Sequence, residues 1–183
     1  LALKVAFSYG KGLLAAAGQL TPNSYILSRT CQLTGGFAFY LWFRGDHAGE
    51  MLLTLGGYNP SFRVPSYYPA VPRLGLSWQV DSSLSVTGGL YFALTSNVVM
   101  AGGKLSALWN SGSINASFTY WADFLMTFAP LHYYVEGGID LGVSFAVHLP
   151  LFSISATVHI GVGLALWGPE FAGRATVDLS IVS

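Results

Sequence analysis

A strict alternation of side chains runs through residues 113–128, SINASFTYWADFLMTF, and constrains the fold more than any other feature of the sequence. The even-numbered positions are apolar, whereas most odd-numbered positions are small or polar. Successive side chains of a β-strand point to opposite sides of the sheet, so a period of two predicts a strand with two different faces. A helix would mix Ser, Asn and Asp into its apolar side. We call the two sides the apolar face, marked by the even positions of this stretch, and the polar face, marked by its odd positions.

The same alternation returns elsewhere along the chain, separated by Gly, Asn, Asp, Ser and Pro turn signals. Residues 131–148 and 151–167 form two further long strands in this interpretation, and shorter strands fill residues 74–111 and 174–182. Residues 1–20 read as a hairpin, and residues 31–58 read as a second hairpin made of one strand over residues 31–44 and one over residues 50–58. The predicted fold class is therefore all-β: a long-stranded antiparallel meander that forms a curled sheet, a barrel or a sandwich.

One section, residues 59–73, departs from the alternation and carries four of the eight prolines. Proline cannot donate to a sheet ladder, so this section is predicted to be an irregular loop. It also carries three large aromatic side chains, Phe62, Tyr67 and Tyr68. We expect the loop to pack over a sheet edge or barrel mouth, to line a ligand mouth, or to contact a partner. The three aromatic residues are the candidate ligand or partner contacts.

The composition is unusually poor in charge, since 52 % of the 183 residues are apolar and only 9 % are charged. A typical soluble domain carries about a quarter charged residues, so much of both faces is expected to be hidden by packing, closure, neighbouring subunits or lipid. The absence of a basic patch argues against nucleic-acid binding. The formal net charge of zero favours self-association. The single cysteine, Cys31, is interpreted as a small buried core residue.

The densest polar cluster lies in the predicted turn between the strands of the second hairpin. Asp46, His47 and Glu50 are the types of residue that bind a metal ion, although one residue of each type within five positions also fits an ordinary solvated hairpin tip. These three residues are weak metal candidates, and no cofactor is predicted.

A second group of ionisable residues lies on the predicted polar face. Its members are Asp123, Glu136, Asp140, His148 and His159. Glu136 and Asp140 are four residues apart on one strand, or about 13 Å, which exceeds the roughly 5–9.5 Å between the carboxylates of glycosidases. We therefore interpret the group as surface or lumenal polar residues. No nucleophile-elbow, phosphate-loop or zinc-protease motif occurs, and an enzyme is disfavoured.

Several short blocks resemble a known family when they are taken in order. They are CQLTGGFAFYLWF, HAGE, LTLGGYNPSF, YYPAVPRLGL, GGLYFALT, VMAGG, TYWADFL and GLALWGPEFAG. The resemblance covers residues 30–183 and is to large, uncharacterised bacterial and fungal proteins that carry a domain of unknown function. It implies a β-rich piece of a longer polypeptide and supplies no activity, cofactor or catalytic residue.

These observations lead to two functional expectations for the chain, taken as a single β-rich segment, residues 1–183, of a longer protein. The first is a structural, self-assembling β-sheet module that forms a filament or a larger assembly with itself or with other segments of the parent chain. The alternative is a β-barrel or groove that carries lipid or other apolar molecules and associates with a membrane. The compartment stays open, with an extracellular or cell-surface location favoured.

Overall fold

The computed structural model describes residues 1–148 and 153–182, and these residues form one antiparallel sheet of twelve strands with no helix. The strands are β1 (Ala2–Ser8), β2 (Leu13–Gln19), β3 (Cys31–Thr34), β4 (Gly36–Trp42), β5 (Met51–Leu55), β6 (Leu74–Gln79), β7 (Leu84–Thr95), β8 (Val98–Ser111), β9 (Ile114–Phe128), β10 (Leu131–His148), β11 (Ser153–Gly168) and β12 (Ala172–Val182). None of the described segments is a helix capable of crossing a membrane. The all-β, antiparallel prediction is confirmed.

The main path of the sheet runs β1-β2-β4-β5-β7-β8-β9-β10-β11-β12, and a short branch pairs β3 with β6 and β6 with β7. No pairing joins β1 to β12 among the described residues, so the sheet is open at both edges and has the form of a curled meander. The three predicted long strands are confirmed as β9, β10 and β11, with 15, 18 and 16 residues. The first two residues of the predicted strand 151–167 lie outside the described residues.

The chain leaves the sheet between β5 and β6, two strands that both pair with β7. Leu55 at the end of β5 pairs with Phe92, and Leu74 at the start of β6 pairs with Leu90, which lies two residues before Phe92 in β7. Residues 56–73 therefore leave the sheet and return to nearly the same place; we call them the strap. The strap begins at Gly56 and Gly57, whose φ angles of +71° and +86° suit glycine.

The strand register carries the alternation of side chains across the whole sheet. Directly paired residues lie on the same face, so one row of the apolar face can be read across six strands: Val86, Ala107, Phe118, Leu141, Ile160 and Leu179. The corresponding row of the polar face contains Tyr91, Gly102, Asp123, Glu136, Ala165 and Arg174. The two faces predicted from residues 113–128 thus extend from one edge of the sheet to the other.

The main buried core lies on the polar face, beneath the strap. Its buried side chains include Ala38, Trp42, Leu52, Thr54, Tyr91, Ala93, Thr95, Val98 and Met100. Tyr58 and Phe62 of the strap pack against this cluster. Residues 59–73 form no strand. They lie on the polar face, where small side chains such as Ala38 and Ala93 leave room for the aromatic rings of the strap. Cys31 is buried, as expected.

Candidate functional site

The apolar face carries many partly or largely exposed side chains along its long strands. At its centre, Leu141 on β10 is 44 % exposed and Leu164 on β11 is 49 % exposed. The exposure rises toward the edge, where Leu179 on β12 reaches 63 %. Soluble monomers rarely show a contiguous apolar patch above about 600 Å². The exposed apolar side chains on adjacent long strands therefore form a larger apolar surface than is usual for such proteins.

The total accessible surface supports the same conclusion. The chain exposes 11597 Å², whereas a compact monomer of its mass, 19.5 kDa, would expose about 8,500 Å². The excess of roughly 3,000 Å² is larger than the 1,200–2,000 Å² of total surface buried in a typical stable protein–protein interface. The chain thus exposes more surface than a compact monomer of the same mass.

A hollow of about 550 Å³ interrupts the apolar face where β6, β7 and β8 meet. Its lining includes Leu33, Leu74, Leu76, Leu90, Leu105 and Tyr120. Gly88 and Gly103 form part of its floor, since they have no side chain to fill the space. The hollow therefore presents leucine side chains and bare backbone to an apolar group.

The strap brings Tyr67 against the polar cluster of the β4–β5 turn, although the two lie apart in the sequence. His47 Nδ1 lies 3.0 Å from Glu50 Oε1, and the Tyr67 hydroxyl donates a hydrogen bond of 2.6 Å to Glu50 Oε2. The His47 ring also stacks on Tyr67, with ring centroids 3.8 Å apart. Burial, aided by the hydrogen bond to Glu50, raises the pKa of Tyr67. These contacts fasten the strap to the turn between β4 and β5.

The other two predicted loop aromatics also face the sheet. Tyr68 stacks on Trp42 with ring centroids 5.7 Å apart, and Phe62 packs against the buried cluster of β7 and β8. Asp46 makes no hydrogen bond or ion pair in the described structure. Within residues 1–148 and 153–182, no three His, Cys, Asp or Glu side chains converge as a metal site would require.

Asp123 occupies the boundary between the covered and uncovered parts of the polar face. The Tyr91 hydroxyl donates a hydrogen bond to Asp123 Oδ1, and the Arg73 guanidinium lies 4.2 Å above the centre of the Tyr91 ring. A cavity of about 410 Å³ adjoins these residues and also touches Lys104 and Trp121. Burial and the hydrogen bond to Asp123 raise the pKa of Tyr91. The cluster ties the strap, through Arg73, to the long strands.

The polar-face candidates form two separate pairs rather than one site. One pair is Asp123 with Glu136, and the other is Asp140 with His159. Glu136 lies directly opposite Asp123 and accepts a hydrogen bond of 2.9 Å from the Tyr134 hydroxyl. Asp140 Oδ1 lies 3.5 Å from His159 Nε2. Gly138 separates the two pairs along β10, and the Trp121 ring covers it. The side chain of His148 falls outside the described part of the structure.

Sequence reasoning missed Arg73, Tyr91, Lys104 and Trp121 as neighbours of Asp123. The alternation places Tyr91, Lys104, Trp121 and Asp123 on one face, but only the register reveals that they are adjacent. No signal in the sequence fixes that register, because every one of these strands repeats the same period of two. Arg73 reaches the cluster only because the strap crosses the polar face.

The fold and its surfaces define the class of protein: an open, curled antiparallel sheet with one face strapped and the other uncovered. The chain belongs to a family of unknown function, DUF6603, whose family model matches residues 1–183. This membership confirms the resemblance to a domain of unknown function. The comparison with curated proteins finds no match, and the comparison with solved structures finds none either.

Proposed function

We propose that the chain is a structural β-sheet module that assembles with copies of itself, or with other segments of its parent polypeptide, into a filament or a larger assembly. The observation that carries this proposal is the uncovered apolar face, which extends across every long strand from β7 to β12. Burying apolar surface is worth about 25 cal/mol per Å², so covering this face is strongly favourable. The formal net charge of zero adds no long-range repulsion between copies.

Two further properties support assembly over catalysis. The ionisable residues of the polar face divide into separate pairs, and none of the described clusters has the geometry of a metal centre. The long strands also leave both faces open to approach, because small residues such as Gly142 and Gly163 occupy many positions of the polar face.

The experiment compares charged substitutions on the two faces. Leu141→Lys places an ammonium group in the middle of the apolar face, and we expect it to abolish concentration-dependent association in sedimentation velocity. Leu108→Lys is the matched control, since Leu108 is 55 % exposed but lies on the polar face. Equal effects of the two substitutions, or a compact wild-type monomer at high concentration, would show that the apolar face does not drive assembly.

A second candidate function is the carriage of lipid or another apolar molecule along the same face. The specific observation in its favour is the leucine-lined hollow of about 550 Å³. An acyl chain or a similarly slender apolar group fits the chemistry of this lining, because the hollow offers little polar surface to a hydrophilic ligand.

The test of carriage is extraction of bound lipid from the purified protein followed by mass spectrometry. Leu90→Lys places an ammonium group in the hollow, so it should remove bound lipid. Leu141→Lys, which lies outside the hollow, is the comparison variant. Protein that carries no lipid and does not partition into phosphatidylcholine vesicles would rule out this second function.

A further inference from the structure

The two edge strands of the sheet, β1 and β12, are both exposed along their length and have no outer partner among the described residues. An unpaired edge presents a row of free N–H and C=O groups that can pair with another strand. β1 carries Leu3, Val5 and Phe7 on the apolar face, and β12 carries Val177, Leu179 and Ile181 on the same face. Both edges are therefore suited to extend the sheet with its apolar face continuous.

We infer that the outer edge of β12 pairs with the outer edge of β1 of a second copy of this chain, in an antiparallel register that places Lys4 opposite Asp178. The inference rests on the proposed function, because it specifies how copies of the module join. The junction joins β12 of one copy to β1 of the next, in addition to any contact through the apolar face.

Strand direction permits this junction. The main path contains ten strands, and every pairing along it is antiparallel. Because ten is an even number, β1 and β12 run in opposite directions within one copy. A second copy placed beside the first in the same orientation therefore presents β1 antiparallel to β12, which is the pairing type used throughout the sheet.

The hydrogen-bonding phase of the two edges also matches. Backbone bonds near the ladder ends, such as Phe43 N–H to Gly12 C=O and Ala146 N–H to Ser113 C=O, fix which residues point toward each neighbour. In each strand, the N–H and C=O groups of alternate residues point to opposite neighbouring strands. Carried through the registers from these bonds, this rule leaves the N–H and C=O groups of the odd-numbered residues of β1 and β12 pointing away from the sheet. Leu3 and Leu179 then form a hydrogen-bonded pair with both side chains on the apolar face, as do Val5 and Val177.

Several registers satisfy both the strand direction and the alternation of backbone hydrogen bonds, and the charged side chains favour one of them. Lys4 is the single charged residue of β1, and Arg174 and Asp178 are the charged residues of β12; all three lie on the polar face. Only the pairing of Lys4 with Asp178 joins opposite charges, whereas pairing Lys4 with Arg174 would oppose two cations. Lys4 and Asp178 form a non-hydrogen-bonded pair in this register, where side chains approach most closely.

This head-to-tail contact uses a different surface on each partner, so it does not close by itself into a dimer and generates rings or filaments. The experiment is charge reversal in the 183-residue chain, with assembly followed by sedimentation velocity and electron microscopy. Lys4→Asp and Asp178→Lys should each weaken association about tenfold, and the double variant should recover near wild-type association. Arg63→Asp and Asp46→Lys are the matched controls, since they make the same charge changes in the strap and in the turn between β4 and β5, away from both edges.

Cysteine pairing tests the register directly. Differently tagged chains carrying Lys4→Cys or Asp178→Cys should form the mixed disulfide on mild oxidation, in preference to either symmetric disulfide. Predominant symmetric Asp178→Cys disulfides would instead show pairing of β12 with β12, and the inference would be wrong. Charge reversals that act no more strongly than the controls would overturn it as well.

The outcomes also separate this inference from the proposed function. If Leu141→Lys abolishes association while the edge variants have no effect, the apolar face assembles the module and the edge junction is wrong. If the edge variants act and Leu141→Lys does not, the junction stands and the apolar face is not the assembling surface.

Discussion

Leu52 and Leu179 are both leucines within antiparallel strands, yet Leu52 is fully buried and Leu179 is 63 % exposed. Leu52 belongs to the covered region, which comprises β4, β5 and the parts of β7 and β8 beneath the strap. Leu179 belongs to the open region, which comprises β9 to β12. The covered side of the sheet is its polar face, whereas the apolar face remains uncovered. The side that a chain buries internally is therefore decided by where its irregular segment lies, and not by hydrophobicity alone.

The difference between the two regions also concerns which residues fill the space. Beneath the strap, small residues such as Ala38, Ala93 and Thr54 make room for the rings of Tyr58, Phe62 and Tyr68. In the open region, glycines are covered by single side chains from the neighbouring strand, such as Trp121 over Gly138. We expect stability to reside mainly in the covered region, and three measurements test this expectation.

Truncation of equivalent leucines should give the largest contrast. Leu52→Ala removes a fully buried side chain and should lower the free energy of unfolding by about 2–5 kcal/mol. Leu179→Ala should change it by less than about 1 kcal/mol, since that side chain is already largely in water. Urea unfolding at low protein concentration measures both values. Similar losses for the two variants would remove the distinction between the regions.

Alkaline pH should weaken the covered region next. The pKa of Tyr91 is raised in the folded protein, chiefly by burial and then by its hydrogen bond to Asp123. The neutral phenol is therefore favoured by folding, and this contribution is present below the unfolded pKa of about 10 and is lost as pH rises above it.

The free energy of unfolding should fall by about 1.4 kcal/mol for each pH unit well above 10 through Tyr91 alone. Tyrosinate absorbance and circular dichroism, followed together, should show this ionisation accompanying unfolding. In Tyr91→Phe the decline with pH should be shallower. A slope unchanged by this substitution would contradict the assignment.

Removal of one buried hydroxyl should cost less than Leu52→Ala. Thr54 Oγ1 donates a hydrogen bond of 2.6 Å to the Gly57 carbonyl at the start of the strap. Thr54→Val should cost about 1–2 kcal/mol, because it leaves a buried carbonyl without that partner. Thr119→Val is the matched control in the open region, where the Thr119 hydroxyl lies 3.1 Å from that of Ser106. Its expected effect is within about 0.5 kcal/mol.

The sequence was sufficient to predict the faces and the long strands. Each strand repeats a period of two, and pairing preserves the face of every residue, so the pattern of residues 113–128 holds across the sheet. The irregular nature of residues 59–73 followed from their prolines. A single long strand over residues 31–44 was predicted where the structure has β3 and β4, because Gly35 adopts a φ of +125° that breaks the strand.

The position of the strap and the contacts it makes could not be predicted. His47, Glu50 and Tyr67 meet because the strap folds back onto the turn between β4 and β5, and no local pattern encodes that return. Asp123 and Tyr91 lie 32 positions apart and become neighbours only through two successive registers. The alternation of side chains along one strand does not fix which residues of other strands lie beside it, so these contacts could not be predicted.

Because the strap connects β5 and β6, which both pair with β7, the sheet does not depend on an unbroken backbone at this point. A proteolytic cut within residues 59–70 would divide the protein into a fragment containing β1 to β5 and a fragment containing β6 to β12. The two fragments would remain joined by the β5–β7 and β3–β6 ladders, because neither ladder contains a strap residue. We therefore expect two separately expressed polypeptides, divided within residues 59–70, to reassociate through these ladders, and their reassociation would report the formation of the sheet without an intact backbone.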